Sequence, residues 1–119
     1  MTVRRLKSYS AATGFVYQYY FEEVRAGARR DSREGSEYLY IVSRDRKRSF
    51  PVPVFFRQDA RDAWARAHGR PLSGTETYAA AKMRLLAAFD DAEDLERDRL
   101  TVEVTAENID ELLAALDIG

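Results

Sequence analysis

Phe50–Arg57 reads FPVPVFFR, and the spacing of its two prolines orders the sheet. The run is dense in strand formers. Pro51 and Pro53 lack an amide hydrogen and stand two apart, so both missing donors fall on one edge of the strand. Such a strand pairs only through Phe50, Val52, Val54 and Phe56, which predicts a place at the border of the sheet. The same prolines discourage another chain from adding there.

Two more strands precede it. Thr13–Val24 (TGFVYQYYFEEV) puts Phe15, Tyr17, Tyr19 and Phe21 on one face and Val16, Gln18, Tyr20 and Glu22 on the other. A polar stretch with Gly27 and Gly35 as breakers reads as a loop. Glu37–Ser43 (EYLYIVS) is the next strand, and Arg44–Arg48 (RDRKR) the turn leading into the proline strand. With no crossover helix between them, the three form an antiparallel meander.

Helices follow. Asp59 is the expected N-cap of a helix from Ala60 to about His68, with Ala60, Ala63, Trp64 and Ala67 on its apolar side and Gly69 as its stop. Ser73 and Glu76 have capping-box spacing at the head of a helix from about Gly74 to Phe89, which presents Tyr78, Leu85, Leu86 and Phe89 to the core. Arg99–Thr105 alternates like a half-buried strand. Thr105 then caps a last helix carrying Ile109, Leu112, Leu113 and Leu116. The order β-β-β-α-α-β-α predicts an α+β fold in one domain spanning 1–119. With the proline strand at a border, the fourth strand is placed beside the first. This gives a mostly antiparallel sheet of four strands, ordered 4-1-2-3, with helices on one face.

Composition bounds the setting. The 119 residues contain no Cys and one His, and 45% are hydrophobic. No apolar run approaches the roughly 20 residues of a membrane span, and the basic start lacks the apolar core of a secretory signal. The absence of thiols fits a reducing, cytoplasmic compartment, and 16 Arg against 3 Lys, with 17 Ala, suggests a GC-rich bacterial genome. Charge is strongly divided: residues 1–89 carry 17 Lys/Arg and 9 Asp/Glu, whereas residues 90–119 carry 2 and 11. Asp90 and Asp91 at a helix end oppose the helix dipole, so basic side chains from the front part are expected nearby, with the acidic tail packed over part of the basic sheet region.

No motif fixes a reaction, and nothing in the sequence calls for a cofactor or a metal. His68, the one catalytic candidate, falls at a helix C-terminus, where a capping role suits it. Ser73, Asp59 and Asp62 are near it in sequence, but no nucleophile elbow accompanies them. The acidic run 90–98 lacks the glycine and glutamate of a helix–loop–helix calcium site, and reads as a solvated connector.

Strands one and two are apolar or aromatic on both faces. Helices cover one, so the other exposes either Tyr17, Tyr19, Tyr38 and Tyr40 or Val16, Tyr20, Leu39 and Ile41. The tyrosines are the first binding candidates, with Arg29 and Arg30 in the first loop and Arg46 and Arg48 in the second turn. The leading expectation is a non-catalytic module that binds a protein or small ligand, with a homodimer through the Tyr-rich sheet as one form. The first alternative is a nucleic-acid binder using the arginine-rich loops, although a meander puts these at opposite ends of the sheet. The second is a small enzyme using His68.

Overall fold

The computed structural model describes residues 5–117. Five strands form one mixed sheet in the order β1-β2-β3-β4-β5, curled into a half-barrel. They are β1 (Lys7–Ser10), β2 (Val16–Arg30), β3 (Arg33–Arg44), β4 (Ser49–Arg57) and β5 (Glu103–Val104). The helices are α1 (Gln58–His68), α2 (Gly74–Asp91), α3 (Leu95–Asp98) and α4 (Ile109–Ala114), with a 3-10 turn at Arg99–Thr101. No helix among the described residues is long and apolar enough to cross a membrane.

This corrects the expected four-strand antiparallel sheet ordered 4-1-2-3. The place beside β2 is taken by β1, where Tyr9 lies opposite Tyr17. The last strand instead joins β4, in parallel. Pro51 and Pro53 do leave their edge without donors, but Phe55 faces the same edge two residues on and has an amide hydrogen. That amide donates to the Val102 carbonyl at 3.0 Å. The docking is confined to the pairs Phe55–Glu103 and Phe56–Val104, beyond the reach of the prolines.

The polar stretch expected as a loop is strand. Asp31 and Ser32, both left-handed (φ 51° and 68°), form a two-residue turn, and β2 and β3 pair right up to it. Two bulges shift the register, one between Phe21 and Glu23 and one between Arg25 and Ala28. Gly27, at φ 70°, supplies the backbone conformation the second requires. The hairpin curls tightly over β4: a Cβ on Gly35 would lie 2.3 Å from the Phe56 carbonyl oxygen and 2.8 Å from the Phe55 ring.

All helices pack on the inner face. Tyr17, Tyr19, Tyr38, Tyr40, Val52, Val54 and Phe56 from the sheet meet Trp64, Leu85, Phe89, Leu95 and Leu113 in the core. Tyr17 stacks on Phe89 with ring centroids 4.2 Å apart and planes 9° from parallel. The Ser73–Glu76 capping box is formed in full. Asp59 is not the cap of α1, which begins after Arg57 with no side-chain cap. Its carboxylate binds the Arg57 guanidinium instead. α4 likewise starts from Asn108, whose side chain accepts from the Thr105 amide at 2.8 Å.

Candidate functional site

The four tyrosines singled out from the sequence, Tyr17, Tyr19, Tyr38 and Tyr40, are buried beneath the helices. They share one face, but it is the core face, so no partner reaches them from the solvent side of the sheet. Burial pushes all four phenols above their usual titration range. Among the described residues the Tyr17 and Tyr40 hydroxyls make no hydrogen bond of good geometry, although Arg44 lies beside the first and Tyr78 beside the second, an arrangement that costs free energy in a core.

The outer face carries the alternate set. Val16 is 44% exposed, Pro51 is exposed, and Leu39, Ile41 and Pro53 are half-buried. Leu39 lies opposite Pro53 and Ile41 opposite Pro51, so these four form adjoining cross-strand pairs. Tyr20, opposite Ile41, stands in the same row. Charges lie toward one end. Glu23 and Arg25 pair there at 2.9 Å. Arg30, from the hairpin tip, folds over the Phe55 ring, 5.0 Å from its centroid.

Arg30 is not a loop arginine. Its side chain is 10% exposed and lies 3.7 Å from carboxylates of both Glu37 and Glu103. It also donates to the carbonyls of Pro53, at 2.9 Å, and Val102, at 3.1 Å. The Pro53 carbonyl lies on the edge that the prolines leave without a strand partner, so Arg30 satisfies an acceptor there and ties β4 to the start of β5. The other three arginines do not gather with it. Arg29 pairs with Glu34 at 3.4 Å near the hairpin tip. Arg48 holds Glu96 of α3 at 2.8 Å. Arg46 sits in the second turn at φ 59° and has no ion pair among the described residues.

His68 is at the end of α1, exposed, with its ring stacked on Trp64 at 4.1 Å and Nε2 3.9 Å from Asp110. Ser73 is committed to its cap and Asp59 to Arg57. Among the described residues no nucleophile is in hydrogen-bond contact with His68. No group of three His, Asp or Glu side chains among the described residues is placed to hold a metal. Asp90, in the last turn of α2, meets hydrogen-bond donors rather than arginines. The Tyr9 hydroxyl (2.8 Å) and the Ala12 amide (2.9 Å) donate to it.

One cavity stands out for its chemistry. It measures about 330 Å³ and opens where α2 ends and α3 begins. Tyr17, Phe50 and Leu95 line it together with the charged groups Arg44, Lys47, Arg48, Asp94 and Glu96. Tyr17 and Arg48 stand out in the sequence, but nothing there brings them together. Tyr17 lies directly opposite Arg44 in the β2–β3 register, which the two bulges hide. A second cavity of about 550 Å³ lies between β1, α2 and α4, lined by Tyr9, Met83, Leu86 and Leu112. His68 lines neither.

No protein-family model, curated protein or solved structure matches the chain.

Proposed function

We propose that this chain is a non-catalytic interaction module that pairs with a second copy of itself through the outer face of its sheet. A bacterial cytoplasmic setting, in keeping with the cysteine-free, arginine-rich composition, is part of the reading. The observation that carries it is the apolar row on the side of the sheet opposite the helices: Leu39, Ile41, Pro51 and Pro53, with Tyr20 opposite Ile41. A solvated antiparallel face is normally polar. The charged groups at its end are neutralised within the chain, Glu23 by Arg25 and Glu37 by Arg30. Two copies related by a two-fold axis therefore bring an uncharged centre against an uncharged centre without like-charge repulsion.

The nucleic-acid reading is less well supported. Binding to phosphates needs free cations on one contiguous stripe. Arg29, Arg30 and Arg48 each hold a carboxylate, and they lie at both ends of the hairpin.

Sedimentation from low to high micromolar concentration tests the proposal. The expected result is a dimer that persists in high salt and is lost in Ile41→Lys, with the variant's circular dichroism unchanged. A wild-type chain that stays monomeric at about 200 µM, weaker than typical specific association, overturns it.

A further inference from the structure

The cavity between the β3–β4 turn and α3 lies on the inner side of the sheet, away from the proposed pairing face, and its chemistry is different. Its lining includes three cations and two carboxylates. Glu96 is neutralised by Arg48 at 2.8 Å. The Asp94 carboxylate accepts from the Arg97 amide at 3.2 Å and caps α3. Arg44 and Lys47 remain without a carboxylate partner among the described residues. Arg44 is held in place from two sides: it donates to the Glu93 carbonyl at 3.0 Å and lies over the Phe15 ring, 4.1 Å from its centroid. The set therefore carries one net positive charge.

Tyr17 is the second observation. It is fully buried, it lines this cavity, and among the described residues its hydroxyl makes no hydrogen bond of good geometry and has no acceptor, with only the Arg44 guanidinium, itself a donor, beside it. Buried hydroxyls in native proteins are nearly always satisfied. A donor left over beside an unpaired guanidinium is the complement of an acceptor carrying negative charge. Phe50 and Leu95, both buried, give the same space apolar walls.

We infer that this cavity binds a small organic monoanion, a carboxylate with a short apolar body. The carboxylate accepts from the Tyr17 hydroxyl and faces Arg44 and Lys47, while the body lies against Phe50 and Leu95. The cavity volume, about 330 Å³, is at the lower end of the range for small-molecule sites. Asp94 limits the site to one negative charge, so a second carboxylate weakens binding.

Amide chemical shifts of the labelled full chain, titrated with benzoate, test this. Saturable shifts are expected around residues 17, 44, 50 and 95, with none from benzamide, which has the same shape without the charge. Tyr17→Phe removes only a hydroxyl that makes no hydrogen bond of good geometry among the described residues, so it keeps the fold. It should bind benzoate about tenfold more weakly, as loss of a hydrogen bond to a charged group implies. Arg44→Gln should weaken binding as well, with Tyr40→Phe as the unaffected control, since Tyr40 does not line the cavity. Four results each overturn the inference: no saturable shift with benzoate, equal response to benzamide, undiminished affinity in Tyr17→Phe, or saturation by inorganic phosphate but not benzoate. None of these readouts depends on whether the chain dimerises.

Discussion

Glu96 on α3 reaches Arg48 in the β3–β4 connection, with its carboxylate oxygen 2.8 Å from the guanidinium. This contact joins the acidic last part of the chain to the basic first part. It belongs to a set: Arg44 binds the Glu93 carbonyl, and Arg30 stands between Glu37 and Glu103. The opposed charges visible in the sequence therefore meet within one molecule. The Arg48–Glu96 pair is well exposed, so its coupling in a double-mutant cycle should be small, about 0.2–1 kcal/mol, and should fall in high salt. Denaturation of Arg48→Ala, Glu96→Ala and the double variant measures it. A salt-independent coupling would mean that the pair acts through packing.

Arg30 should matter far more. It satisfies the Pro53 carbonyl, which β-ladder bonds leave open, adds a second donor to the Val102 carbonyl that the Phe55 amide already meets, and lies between two carboxylates. Arg30→Met keeps the stem over Phe55 but leaves the Pro53 carbonyl unpaired and Glu37 and Glu103 without their shared cation. The expected loss is about 2–3 kcal/mol in urea denaturation. Arg30→Lys should recover little of it, because a single ammonium cannot span the Pro53 and Val102 carbonyls as the planar guanidinium does.

Gly35 tests the curl of the hairpin. A methyl group there meets the Phe56 carbonyl at 2.3 Å, and backbone cannot swing aside as a side chain can. Gly35→Ala should lose about 1–3 kcal/mol, the usual range for overpacking. Thermal melts measure the loss, and an unchanged midpoint would show that the hairpin lies farther from β4.

Glu76 gives the pH dependence. Its carboxylate accepts from Arg70 and from the Ser73 amide, and these bonds lower its pKa from the ordinary 4.5 to about 2. A carboxyl lowered in the folded state contributes its full stability above the unfolded value, and loses it as pH falls through the folded value. Glu76→Gln can keep the capping box but not the charge. Its melting temperature should lie below that of the parent at pH 7, and the gap should narrow between pH 4.5 and 2. A gap that is constant across that window would assign the effect to geometry alone.

The alternation in TGFVYQYYF and EYLYIVS and the SGTE cap were legible because each depends on neighbours within a few residues. The sheet order was not, because it turned on one amide. Pro51 and Pro53 signal a closed edge, and only the chain's later course shows Phe55 offering the donor on which β5 docks. The length of β2 was hidden for a related reason. Arginines, glycines and acids from 25 to 36 have loop composition, but two bulges and the Asp31–Ser32 turn hold them in a ladder. The candidate site was half visible. Aromatic and basic residues stand out in the sequence, yet the face carrying Tyr17, Tyr19, Tyr38 and Tyr40 is settled by where the helices pack. That Tyr17 meets Arg44 depends on a register that no local pattern encodes.

The two-residue ladder at Phe55 and Phe56 divides the molecule mechanically. Strands β1 to β4 are laced along their lengths, while β5 is buttoned on at one spot, with Arg30 as the catch. The segment from α3 onward is therefore held by a short seam, by its buried apolar side chains and by single contacts such as Arg48–Glu96 and Arg84 to the Glu103 carbonyl, and local opening is expected there before the laced strands part.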